Sequence, residues 1–111
     1  MLIKTLSFFR APLQNTAQLI VPTIVVYEVC RKVLHHSGQD AAATAFNFLK
    51  QGRMVALSAE HSFEAAALAQ QYSLAMADAL ILQTALSHKA TLYTQDAAFK
   101  GLPNVAYVEK Q

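Results

Sequence analysis

Charge is what this chain has least of. Only 14% of its 111 residues are Asp, Glu, Lys or Arg, against about 25% in an average soluble domain, while 54% are apolar. Mean hydropathy is +0.26. So little charge implies that part of the surface is covered, in an oligomer or against a partner. Acids are scarcest at the front: none of the seven precedes Glu28. Cysteine is almost missing as well, and Cys30 alone cannot form an internal disulfide, which excludes a disulfide scaffold and fits a reducing cytoplasm. The three glycines, Gly38, Gly52 and Gly101, are too scattered for a phosphate-cradling loop, which argues against a nucleotide-binding α/β domain. No apolar run reaches the ~20 residues a membrane helix needs; Leu19 to Tyr27 is interrupted by Pro22 and Thr23. Near the amino terminus Arg10 cuts the apolar patch and no small-residue cleavage site follows, so no signal peptide is expected.

What remains is enough for one domain with a single core. Met1 to Gln18 is hard to read: MLIKTLSFF suits a short strand, but Asn15, Thr16 and Gln18 suit a loop. Leu19-Ile20-Val21 reads as a strand stopped by Pro22, with Thr23 as the N-cap of a helix that runs to about His36 and ends at Ser37-Gly38. Val26, Val29, Cys30 and Val33 are spaced for its core face. Asp40 is placed to cap a second helix, with Ala42, Ala45, Phe46 and Leu49 inward and Gly52 as its stop. Arg53 to Leu57 reads as a strand. Ser58 caps a third helix on which Phe63, Ala66, Ala67 and Gln70 follow helical spacing. A helix from Ala79, the strand Thr91 to Thr94, a turn at KGLPN and a last strand Val105 to Val108 complete the chain. Strands separated by helices predict an α/β fold with a parallel sheet and helices on both faces.

Two acids stand where an apolar segment should have none. Asp78 shares a helical face with Ile81, Leu82, Ala85 and Leu86, and Asp96 sits just past the strand that ends at Thr94. Ligands of open parallel sheets bind beyond the carboxyl ends of the strands, so two acids there point to chemistry. Each acid also has a purely structural reading. Asp78 suits an N-cap, Glu28 an i+3/i+4 pair with Arg31 or Lys32, and Asp96 the start of a turn before Phe99. His35, His36, His61 and His88 lack metal-ligand spacing and read as surface or capping residues, and Cys30 as core. With Glu28, Asp78 and Asp96 gathered into one site, Arg31, Lys32, Arg53, Lys89 and Lys100 are left to make the rest of the surface phosphate-friendly or simply solvated.

PTIVVYEV, then MADALILQTAL, then LYT followed by QD and AAFKGLPNV, resembles the PIN-domain ribonucleases, and among them the VapC-type toxins of toxin–antitoxin operons. The resemblance runs from Phe8 to Val108 and draws its specificity from order and spacing: a Pro-Thr helix start with Glu28 five residues after Thr23, an Ala-Asp-Ala start, and a Thr-x-Asp behind a strand. It implies a three-layer α/β/α domain, a mainly parallel sheet, and Mg²⁺- or Mn²⁺-dependent cleavage of RNA. As partners it implies a small VapB-type antitoxin and a second copy of the chain. Glu28, Asp78 and Asp96 match three acids of that family's site, with Thr94 as a hydroxyl beside the last. The implied roles are Asp78 as a direct metal ligand, Asp96 as a ligand directly or through water, Glu28 as a further acid of the metal site or the orienter of the attacking water, and Thr94 as a holder of one of these carboxylates.

The family's first acid, an Asp that closes the opening strand, has no counterpart. Either the chain starts internally and that strand lies upstream of Met1, or Leu2 to Thr5 is an altered opening strand with Lys4 in the Asp position, followed by a deletion. The internal start is the expected account, because Phe8 to Gln18 resembles the segment that ordinarily precedes the PTIVVYEV helix. On either account a principal metal ligand is lost, and weaker metal binding and impaired hydrolysis follow. A catalytically silent module that binds an antitoxin or dimerises is the alternative function.

Overall fold

Five short strands form one sheet in which every neighbouring pair is parallel. A computed structural model describes residues 2–3 and 19–107. The strands are Leu2–Ile3 (β1), Ile20–Pro22 (β2), Arg53–Val55 (β3), Leu92–Thr94 (β4) and Val105–Tyr107 (β5), in the spatial order β3-β2-β1-β4-β5. Register is fixed by Leu2 opposite Ile20 and Leu92, Val21 opposite Met54, and Tyr93 opposite Ala106. Among the described residues the helices are Thr23–Leu49 (α1), Ala59–Tyr72 (α2) and Met76–Ser87 (α3), with a 3₁₀ turn at Ala97–Phe99. The α/β fold with a parallel sheet is therefore as expected.

The opening strand that was expected to be missing is in place. Leu2–Ile3 is the central strand, hydrogen-bonded between β2 and β4. Lys4, the loop reading of the residues up to Gln18, and Val108 lie outside the described residues.

Local chemistry explains most boundaries. Pro22, with φ −62° and ψ 141°, ends β2 and is itself the N-cap of α1, so Thr23 is the first helical residue and not the cap. Pro cannot continue the ladder as a donor but is preorganised to lead into a helix. α1 is broken by one residue, Gly38, at φ 84° and ψ −176°. Only glycine adopts that region without strain, so the helix stop read at Ser37-Gly38 is real, while the second half resumes at once and Asp40 lies inside it. Ser58 caps α2 as expected, its Oγ accepting from the His61 backbone N–H at 3.1 Å.

The core lies between sheet and helices. Leu19, Val21, Val25, Ile81, Leu82, Leu92 and Phe99 are all buried to within 1% exposure, each contributing about 1.5–3 kcal/mol of apolar burial. α3 is buried on every side from Ala79 to Ala85, the pattern of a helix enclosed by other elements rather than laid on a surface. The buried side of α2 is decided by its packing, and one expected inward face, on the second half of α1, is corrected. On α2 the buried side is Ala65, with Leu68, Ala69 and Tyr72 partly covered, while Phe63, Ala66, Ala67 and Gln70 face solvent; the small Ala65 meets Ala79 and Leu80 of α3, which lets the two helices approach closely. On the second half of α1, Ala42 and Leu49 are buried but Phe46 is exposed, its ring under the Lys50 ammonium at 4.8 Å. No single helix among the described residues is long and apolar enough to cross a membrane.

Candidate functional site

The sheet order creates one crevice. The chain steps outward from β1 to β2 to β3, then crosses to the other side of β1 for β4 and β5, so the topological switch lies between β1 and β4. At such a point successive connections diverge and leave room beyond the carboxyl ends of the strands. Thr94 ends β4 at this edge, and Asp96 follows two residues later. Glu28 stands in the second turn of α1, which leaves the same edge from β2. A small cavity bounded by Pro22, Thr23, Val55, Leu57, His61, Leu80 and Thr84 joins the middle of α3 to the carboxyl ends of β2 and β3. α3 runs into the start of β4 through a short turn, so its first turn, which carries Asp78, lies toward the opposite, carboxyl end of the sheet.

Thr94 and Asp96 form one hydrogen-bonded unit. Thr94 is fully buried, and its Oγ1 accepts from the Asp96 backbone N–H at 3.0 Å. Asp96 Oδ1 accepts from the Ala98 N–H at 3.0 Å, capping the 3₁₀ turn whose Phe99 is fully buried. The turn-forming reading of Asp96 is thus correct, and it leaves the acid's place at the strand end unchanged. Thr94 acts on Asp96 through its backbone, fixing the turn that carries the carboxylate.

Asp78 is not the N-cap of α3. The helix starts at Met76, its N-cap is Ala75 without a side-chain hydrogen bond, and Asp78 is the third helical residue. A carboxylate there faces the positive end of the helix dipole, worth about 0.3–1 kcal/mol. It is half-buried, as is Glu28. Glu28 Oε1 is shielded from solvent, whereas Arg31 and Lys32 are exposed, so the acid turns inward rather than lying along the helix surface with them.

These are hard oxygen donors without sulfur or imidazole among them, the donor chemistry of Mg²⁺ or Mn²⁺. The topology brings Glu28, Asp78, Asp96 and Thr94 to one edge but does not close the acids into a cage: among the described residues no three of His, Cys, Asp and Glu form a group that could hold a metal ion. Mg²⁺ commonly uses only one or two carboxylates and keeps several waters, so this donor set fits an open site and not an all-protein cage.

His88 is the capping residue it was read as, its Nδ1 lying 3.0 Å from the Thr84 carbonyl oxygen at the end of α3. One polar pair was not foreseen. Gln83, at 3% exposure, donates from Nε2 to Glu64 Oε2 at 2.8 Å and so ties α3 to α2. Its Oε1 is buried with no hydrogen-bond partner among the described residues. The only signal in the sequence is a glutamine inside the apolar run ALILQTAL.

Comparison with known proteins agrees with this fold. In a toxin–antitoxin complex from Klebsiella pneumoniae one chain is 26% identical to this one, with a TM-score of 0.78 over 98% of each chain. In VapBC2 from Rickettsia felis, solved bound to a DNA fragment from the promoter, a chain with 23% identity has a TM-score of 0.62, covering 83% of this chain and 74% of its own length, and shares the fold. No curated protein matches the sequence. The PIN domain family model matches residues 6–105, nearly the whole chain, and with the parallel sheet and its acidic carboxyl edge this establishes that the chain belongs to the PIN domain family.

Proposed function

We propose that the chain is a VapC-type toxin: a cytoplasmic endoribonuclease that hydrolyses RNA phosphodiesters with Mg²⁺ or Mn²⁺ and is held in check by a small VapB-type antitoxin. The observation that carries this reading is the Thr94–Asp96 unit at the carboxyl end of β4, beside the switch crevice of a PIN domain. Asp78 and Asp96 are the metal ligands, Glu28 orients the attacking water, and Thr94 fixes the turn that presents Asp96. A bound Mg²⁺ or Mn²⁺ supplies neutralisation of the phosphoryl oxygens and a water made nucleophilic at neutral pH. The antitoxin is supported by the toxin–antitoxin complexes among the structural relatives, and the reducing compartment by the lone Cys30. A second copy of the chain is the remaining partner, supported by the large apolar side chains left exposed on the helices.

The test is cleavage of RNA by the purified chain with Mg²⁺ or Mn²⁺. Cleavage that a chelator abolishes and Asp78→Asn removes supports the reading; cleavage indifferent to both contradicts it. A second reading, a silent PIN domain that only binds an antitoxin, is favoured by the lack of any acid before Glu28 and by the lack of a three-ligand group among the described residues. It predicts a stable complex with the antitoxin and no heat of Mn²⁺ binding in calorimetry.

A further inference from the structure

Lys100 and Tyr107 meet beside the acidic edge. Register sets Thr94 at the end of β4 opposite Tyr107 at the end of β5, so the two side chains stand on one face of the sheet, on adjacent strands. Thr94 is fully buried and Tyr107 half-buried. The Lys100 Nζ lies over the Tyr107 ring, 5.5 Å from its centroid, within cation–π range. One turn therefore carries both an acid and a base to this place. The 3₁₀ turn Ala97–Phe99 begins at Asp96, whose carboxylate caps it, and ends at Lys100, whose N–H donates to the Ala97 carbonyl oxygen. Fully buried Phe99 anchors it. At about 2 Å of rise per residue, the turn holds Asp96 and Lys100 roughly 8 Å apart.

The other described cations lie elsewhere. Lys50 and Arg53 border the amino end of β3, Lys89 precedes the amino end of β4, and Arg31 and Lys32 face solvent on α1 about a turn beyond Glu28. Among the described residues, only Lys100 is carried back to the carboxyl ends of the strands. An edge that gathers Glu28, Asp78 and Asp96 repels a phosphodiester chain, and a metal ion neutralises the phosphate it touches. The next phosphate along the strand needs a positive charge of its own. A lysine stem is flexible, and seating its ammonium on an aromatic face reduces the freedom lost when it takes a ligand.

We propose that Lys100 holds a phosphate of single-stranded RNA beside the scissile one, and that Tyr107 is the positioning residue that keeps the ammonium at this edge. This rests on the RNA-cleaving reading above, but the contact itself needs no metal.

Fluorescence anisotropy of a labelled single-stranded RNA oligomer with the whole chain in EDTA reads binding with cleavage switched off, and cleavage with Mn²⁺ is measured beside it. Lys100→Gln, at an exposed position, is expected to weaken binding roughly fivefold at 0.1 M salt and to lower the slope of log K against log salt by about 0.7, the loss of one phosphate contact. Tyr107→Leu is expected to weaken binding in the same direction, and Tyr107→Phe, which keeps the ring, to bind as the wild type does. A DNA oligomer of the same length is expected to show the same change of slope; a change confined to RNA overturns the phosphate assignment. A pair that only packs the edge would lower the melting temperature of Lys100→Gln and leave the slope unchanged, which overturns the proposal. Tyr107→Leu binding as tightly as the wild type overturns the positioning role. Cleavage by the wild type with an unchanged slope in Lys100→Gln removes this contact and leaves the nuclease reading standing. A lowered slope in a chain that cleaves nothing supports the contact while the nuclease reading falls.

Discussion

Thr94 is the point at which fold and chemistry meet, and its hydroxyl can be removed almost without changing shape. Valine replaces Oγ1 by a methyl group at a fully buried site, so no cavity opens; what is lost is the acceptor for the Asp96 N–H. That bond is only partly buried, so leaving the amide unsatisfied costs at the lower end of the usual range, about 1 kcal/mol, or roughly 4 °C in Tm for a domain of this size. Thr94→Ser makes the complementary change: the acceptor stays and one buried methyl goes, at a similar cost of about 1 kcal/mol. The two variants therefore match in stability and differ in the turn. Hydrogen exchange of the Asp96 amide separates them, with protection lost in Thr94→Val and kept in Thr94→Ser. Mn²⁺-dependent RNA cleavage should follow the same order, falling further in Thr94→Val. An Asp96 amide equally protected in both variants would refute the assignment of Thr94 as the residue that sets this turn.

Glu64→Ala should cost about 1–3 kcal/mol in urea unfolding, because it strands the buried Gln83 amide, whereas Gln83→Leu, which removes both buried polar atoms, should be neutral or stabilising. Gly52→Ala should destabilise by about 1–3 kcal/mol, since an added Cβ would lie 2.7 Å from the Leu19 carbonyl oxygen, and thermal melting gives the value. Ser58→Ala removes the α2 cap and should lower stability by about 1 kcal/mol, with faster exchange at the His61 amide.

The parts of this fold that were legible in the sequence are those governed by local chemistry. The break at Gly38 needs a residue tolerant of positive φ, and Ser58 supplies the oxygen that the first turn of α2 requires. β4 is a compact β-branched and aromatic run. Where tertiary context decides, the sequence misleads. Asp78 reads as a cap only if α3 starts at Ala79, but Met76 and Ala77 are strong helix formers and carry the helix back past it, while Ser73, the nearest polar candidate, is already spent as the left-handed C-cap of α2. Helical spacing alone left the buried side of α2 open, and close packing on α3 selects the small Ala65 over the larger Phe63. β1 is two residues long, too short for any periodicity, and its central place is visible only from the pairing of its neighbours. Of the candidate site, the neighbourhood of Thr94 and Asp96 at the end of β4 was legible. The bond from Thr94 to the Asp96 backbone was not, because Thr-x-Asp spacing is equally compatible with a side-chain or a main-chain contact.

The central claim is that Glu28, Asp78 and Asp96, distant in sequence, serve one divalent cation at the carboxyl edge of the sheet. Substoichiometric Mn²⁺ added to ¹⁵N-labelled protein tests it most directly, since paramagnetic broadening reports which amides lie nearest the ion. The account predicts that the amides around Glu28, Asp78 and Asp96 broaden first and together, and that Asp78→Asn combined with Asp96→Asn abolishes the effect. Broadening that begins elsewhere, or that survives in the double variant, would contradict it.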